Sequence, residues 1–286
     1  MVTLREGVEI ALVLGIILGY IAELGAFGLR KYVYLGFAVA VVASLLVSIA
    51  LNLLGVVFSG LIERLYEGVT SALAAIVLLT AVLWMHKKGP TIRRELEAKV
   101  GLAVEKGTAD ALAILSFVIV VREGVEIALF LQQSIIQTTV AETILGALIG
   151  FTGALVVGLI ILKTSARVST RTFFRVTSII LVFIAAGLLA YGIHELQEAA
   201  IIPVVVEHLY DVNFIIDENG LVGSILKALF GYNGNPSLIE TTVYLLFLTF
   251  SLSYLILSNR GKINLEEINL NEGTHELRNK KSDNRK

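Results

Sequence analysis

Apolar residues in this chain fall into long blocks, and seven of those blocks run for twenty residues or more, at 1–22, 33–58, 66–85, 109–133, 143–162, 174–195 and 239–258. A soluble helix alternates apolar and polar faces, whereas a bilayer-spanning helix needs about 20 consecutive apolar residues. Composition agrees. Hydrophobic residues make up 56% of the 286 and charged residues only 16%, against about a quarter charged in soluble domains. The mean hydropathy is +0.82. The expected fold is therefore all-α: a polytopic membrane protein with seven transmembrane helices. No cleavable signal peptide is predicted, because the first apolar block carries Arg5, Glu6 and Glu9 and no small-residue cleavage site follows it. The polar stretch 259–286 reads as a disordered tail.

Basic residues give an independent test of that layout. Seven spans put the linkers after the first, third and fifth helices on the same side as the tail. Nineteen of the 23 lysines and arginines fall there, against Arg64 and Lys227 on the opposite side. The positive-inside rule then predicts an external N-terminus and a cytoplasmic C-terminus. The remaining two, Arg5 and Arg122, lie inside spans.

The chain also repeats itself. Arg5-Glu6-Gly7-Val8-Glu9-Ile10-Ala11-Leu12 recurs without mismatch as Arg122-Glu123-Gly124-Val125-Glu126-Ile127-Ala128-Leu129, and Val69-Thr70-Ser71 recurs as Val176-Thr177-Ser178. Three helices per half is an odd number, so the second half is expected upside down relative to the first. Such inverted repeats place a transporter's binding site near midplane, where the halves meet. The expected organisation is a first three-helix repeat at 1–86, a cytoplasmic linker at 87–108, an inverted repeat at 109–200, an extracytoplasmic loop at 201–238, a seventh helix at 239–258 and the tail. Arg122 follows about a dozen apolar residues but Arg5 follows four, which predicts a true start some ten residues upstream of Met1.

A charge at the centre of a membrane helix costs about 2.5–3.5 kcal/mol, and each copy of the motif carries three. Arg5 and Glu9 are four apart and can pair on one face, as can Arg122 and Glu126. Glu6 and Glu9 are three apart, so both can face one space, and the same holds for Glu123 and Glu126. Gly7 and Gly124 leave room for another helix to approach closely. Four carboxylates and two guanidiniums sum to −2, a deficit that a bound cation would fill. Carboxylate oxygens without thiolate suit ferric, ferrous or manganous ions, and the chain has no cysteine. Arg–Glu pairs serving only to lock helices would leave Glu6 and Glu123 without a role. Arg5 and Arg122 are expected to orient the glutamates, since a guanidinium repels a metal.

Candidate secondary entry ligands are Glu67, at the start of the third helix, and His194, Glu195 and Glu198 at the end of the sixth; a plain interfacial carboxylate and a solvated helix end are the respective alternatives. There an imidazole and two carboxylates fall three and four residues apart. Net charge is −1, so nothing points to nucleic acid as a partner. No nucleophile is placed for enzymatic work, and no cofactor is expected. A carrier of manganese or lead, a membrane-embedded acid–base enzyme and a structural subunit are the alternatives.

Together the two motifs, the Tyr66-Glu67-Gly68-Val69-Thr70-Ser71 opening, the segment from His194 to Ala199 and Phe230-Gly231-Tyr232 resemble the oxidase-dependent iron permeases of fungi and bacteria. Members of that family have seven spans, with Arg-Glu-Gly-x-Glu in the first and fourth. The resemblance implies high-affinity iron uptake at the plasma membrane, with iron as transported substrate held by Glu6, Glu9, Glu123 and Glu126 during passage. It also implies an extracytoplasmic ferroxidase or iron-delivery protein as a candidate partner. The chain departs from the family in its short N-terminus, and it lacks the long extracellular iron-binding domain that some bacterial members carry.

Overall fold

The computed structural model describes residues 1–88, 91–163, 170–218 and 220–257. Within them the regular elements are helical: α1 (Val2–Glu23), a 3-10 turn (Phe27–Leu29), α2 (Arg30–Val57), α3 (Leu61–Lys88), α4 (Ile92–Glu105), α5 (Ala109–Gln137), α6 (Val140–Lys163), α7 (Thr170–Glu198), α8 (Leu221–Phe230) and α9 (Leu238–Leu257). The predicted tail at 259–286 lies outside the described residues.

Five helices are long and apolar enough to cross a membrane by composition: Phe27–Val57, Leu61–Met85, Val140–Ile160, Phe174–Glu198 and Leu238–Leu257. Half of the apolar window of α3 and of α7 is buried, against 6% for α2 and 22% each for α6 and α9. The first pair is therefore the centre of the bundle and the others its rim. The rim carries rows of exposed side chains, such as Val42, Leu46, Ile49 and Leu53 on α2 and Leu145, Leu148, Ile149 and Leu155 on α6, the surface a helix presents to lipid. Helices α1 and α5 are also long, 22 and 29 residues. They miss the compositional criterion because they carry the charged motifs.

Helices α2 and α5 pack along their length, as do α3 and α7, and α1 and α6, while α1 also meets α5 and α4. Small residues make these contacts close. A Cβ on Gly7 would stand 2.6 Å from Cβ of Ala154 in α6, and one on Gly124 would strike Ser44 of α2. The two motif helices run antiparallel. The C-terminal part of α1 lies on α4, with Tyr20 against Gly101. Helix α5 starts beside α4 and ends at the opposite pole, where Gln137 lines a cavity beneath α8.

Two elements within the predicted linker and loop have their own structure. In α4, Leu96, Val100 and Ala103 form an i, i+4, i+7 stripe that packs with Val13, Ile17 and Ile21 of α1, Val33 and Leu112 into a closed apolar cluster. In α8, Gly231 adopts the left-handed conformation that ends the helix (φ 64°) and comes into backbone contact with Gly187 of α7. That contact ties the loop down onto the bundle.

Candidate metal-binding centre

Residues three and four apart on α1 and on α5 share a face, and the antiparallel contact of the two helices brings the faces together. One oxygen each from Glu6, Glu9 and Glu123 lies within 4.8 Å of the others, and all three residues are buried. Oxygen ligands sit about 2.0–2.6 Å from a hard cation, so two on opposite sides of one ion stand about 4–5 Å apart. The spacing fits a single ion among the three. Glu126, the fourth predicted ligand, is also buried, 5% exposed, but does not join the trio at that spacing. Oε2 of Glu6 and Oε2 of Glu126 are buried with no hydrogen-bond donor in reach among the described residues, one acceptor from each helix.

Each arginine pairs with the glutamate four residues on, as the spacing predicts, and also with the adjacent glutamate, which the spacing does not predict, and the two sets are unequal. Nη1 of Arg5 lies 2.7 Å from Glu6 and Nη2 lies 2.9 Å from Glu9, and Arg5 is 1% exposed. Nε of Arg122 donates to Glu126 at 3.1 Å and stands 3.9 Å from Glu123, with the side chain 36% exposed. Its guanidinium covers the Trp84 ring at 4.2 Å. Arg5 is thus enclosed by the centre it neutralises, whereas Arg122 reaches its edge.

A second polar region lies toward α8. A cavity of about 360 Å³ is lined by Gln137, Tyr191, His194, Glu195, Asn233 and Glu240, among others. Glu67 stands nearly two turns inside α3 rather than at its start, and it accepts a hydrogen bond from Tyr191 at 2.9 Å. The His194, Glu195 and Glu198 triplet divides between partners. His194 pairs with Glu240 at 3.2 Å, while Arg64 stands 3.0 Å from Glu198 and 3.6 Å from Glu195. Glu198 is thereby drawn away from the imidazole four residues before it.

Glu240 was not among the residues expected from sequence. It accepts from Asn233 Nδ2 at 2.9 Å and from the Ser237 backbone N–H at 3.3 Å, while its own N–H donates to Ser237 Oγ at 3.2 Å. This reciprocal pair is a capping box. Ser237-Leu238-Ile239-Glu240 ahead of an apolar run carries its sequence signal.

A multi-pass helical bundle with several apolar helices long enough to cross a bilayer is a membrane protein, and this one buries acidic side chains where α1 and α5 meet. This chain belongs to the iron permease FTR1 family, matched over residues 1–263. It is 29% identical over 263 residues to the ferrous iron permease EfeU of Escherichia coli O6:H1 (strain CFT073), covering 91% of this chain and 95% of the relative. EfeU of Yersinia pestis is also 29% identical over 263 residues, covering 91% and 93%. An uncharacterized protein of Archaeoglobus fulgidus is 34% identical over 272 residues, covering 92% and 95%. No solved structure matches the chain.

Proposed function

We propose that this protein carries iron across the plasma membrane on Glu6, Glu9, Glu123 and Glu126, with Arg5 and Arg122 orienting those carboxylates. The observation that carries the reading is the buried convergence of Glu6, Glu9 and Glu123 oxygens within 4.8 Å. A hard cation is the guest that such an oxygen set balances. Ferrous iron is the form named for the EfeU relatives, and the all-oxygen donor set accepts it.

Seven spans in two inverted halves, 1–86 and 109–200, give the carrier its frame. At about 1.5 Å per residue, the 22 and 29 residues of α1 and α5 reach about 33 and 43 Å, enough for a bilayer. Pairing of α1 with α6 and of α5 with α2 is what a two-fold exchange of halves produces. Buried positions also correspond: Thr70, Ser71, Ala74, Ala75 and Leu78 in α3 match Thr177, Ser178, Leu181, Val182 and Ala185 in α7. The excess of basic residues assigns the α4 pole to the cytoplasm. The α8 cavity then faces outward as the entry, with His194, Glu195 and Glu240 on its wall and Glu67 and Glu198 nearby. A ferroxidase or iron-delivery protein on that face would hand iron to it. The closed apolar cluster at the α4 pole supports an outward-facing arrangement closed toward the cytoplasm.

Uptake of radioactive ferrous iron into proteoliposomes tests the reading. Glu9→Ala and Glu126→Ala, with insertion and folding verified, are expected to lose at least about tenfold in rate, and Glu67→Ala and Glu198→Ala less. Manganese and lead are expected to compete weakly. Wild-type uptake by both motif variants rules the reading out.

A further inference from the structure

Helix α5 carries more polarity than its motif accounts for. Seven residues beyond Glu126 stands Gln133, and four further on Gln137. At 100° per residue the three lie within about 40° of one another on one face, with Gln133 about 10 Å along the axis from Glu126 and about 6 Å from Gln137. Gln137 lines the α8 cavity. Gln133 is 2% exposed. Its amide oxygen accepts from Ser71 Oγ of α3, and its Nε2 is buried with no hydrogen-bond partner among the described residues. An amide leaving half its hydrogen-bonding capacity unused in a buried place costs about 1–3 kcal/mol, and leucine would fill the same volume without that cost. A serine hydroxyl pairs equally well with either end of the amide. The other rotamer would therefore give the bond to Ser71 and turn the oxygen free.

The matching positions of the first half lack this feature. The eight-residue repeat places Ile16 opposite Gln133 and Tyr20 opposite Gln137, and Ile16 and Tyr20 pack against the sealed apolar cluster at the α4 pole. The polar step is therefore present only between the cavity and the glutamates.

We infer that Gln133, held by Ser71, is a neutral oxygen relay for the partly hydrated cation between the α8 cavity and the four-glutamate centre, and that it sets the rate of loading rather than the affinity of the centre. The inference rests on the transport reading above. A neutral ligand suits that position: it replaces a water of hydration without adding a charge that would trap the ion short of its site.

The test combines transport, binding and accessibility. Gln133→Leu is expected to slow ferrous uptake about tenfold or more, with equilibrium iron binding to the purified protein unchanged within about twofold. Gln133→Asn, which keeps a neutral amide oxygen near that place, is expected to retain more of the loading than Gln133→Leu. The chain has no cysteine, so Gln133→Cys creates a unique thiol. It is expected to react with a water-soluble, membrane-impermeant thiol reagent applied from the α8 side, and ferrous iron is expected to slow that reaction. Wild-type uptake by a folded Gln133→Leu protein, with only its melting temperature lowered, would mean that Gln133 is an interhelical clamp and would overturn the inference. So would a thiol that no external reagent reaches, which decides the matter even where the leucine variant does not fold. Glu126→Ala measured in parallel keeps the two readings apart, since its loss of uptake upholds the carboxylate centre whatever Gln133 does.

Discussion

Gly7 of α1 and Ala154 of α6 are so close that a Cβ on the glycine would stand 2.6 Å from that of the alanine. This contact and its counterpart at Gly124 and Ser44 seat each motif helix on its neighbour, α1 on α6 and α5 on α2. Gly7→Ala is expected to destabilise the protein by about 1–3 kcal/mol through overpacking, seen as a lower melting temperature in detergent, and Ala154→Gly in the same chain is expected to restore much of the loss. Gly19, in the same helix with nothing within 4 Å of its would-be Cβ, is the control: alanine there is expected to be neutral or stabilising by up to about 1 kcal/mol. Equal losses at Gly7 and Gly19 would show that helix contact is not the cause.

The two motif arginines are expected to behave differently although their sequence contexts are identical. Arg5→Ala leaves Glu6 and Glu9 buried without their counter-charge, a change that costs about 3–5 kcal/mol. Arg122 is one-third exposed and stacked on Trp84, so its alanine variant leaves a less enclosed pair and is expected to lose clearly less than Arg5→Ala. Thermal melting of the two variants measures the difference. Ferrous iron should recover part of the Arg5→Ala loss, because an ion bound only by the folded state stabilises it and supplies the missing positive charge.

Glu240 joins α7, the segment before α9 and the N-terminus of α9, through His194, Asn233 and Ser237. Removing it deletes a cap worth about 1 kcal/mol and the charge-assisted bonds that fasten residues 201–236 over the cavity. Glu240→Ala is expected to speed proteolysis within that segment by several-fold, as its opening free energy falls. His194→Ala, which removes one bond of the set, is expected to have a smaller effect.

What could be read from the sequence follows from where the information lies. The apolar blocks and the two charged motifs are local in the chain, because a span needs consecutive apolar residues and a shared helix face needs three- and four-residue spacing. The helical architecture and the pairing of Arg5 with Glu9 and Arg122 with Glu126 were legible for that reason. The pairings of His194 with Glu240 and of Glu198 with Arg64 depend on which helices become neighbours, and no spacing encodes that. Consecutive turns at His194, Glu195 and Glu198 suggested one grip, but Arg64 on α3 competes for two of the three. The α4 stripe of Leu96, Val100 and Ala103 is present as a pattern, but it is short and set among lysines and arginines that mark the segment as a linker.

That stripe leads to a prediction about the pole opposite the cavity. Leu96 is 4% and Val100 0% exposed, and both pack in one cluster with Ile17 and Ile21 of α1, about two to three turns from Glu9. If α4 is the floor that closes the bundle beneath the acidic centre, Leu96→Ala opens a cavity within a packed core and costs about 2–5 kcal/mol, a clear fall in melting temperature. A helix lying loosely on the surface would lose only a few tenths. The same variant weakens the seal on the side away from the cavity, so iron preloaded into proteoliposomes should leak out faster than from wild type. A stability loss without faster leak would assign α4 to holding α1 in place, and the closure would then belong to Val13 and Ile17 of α1 itself.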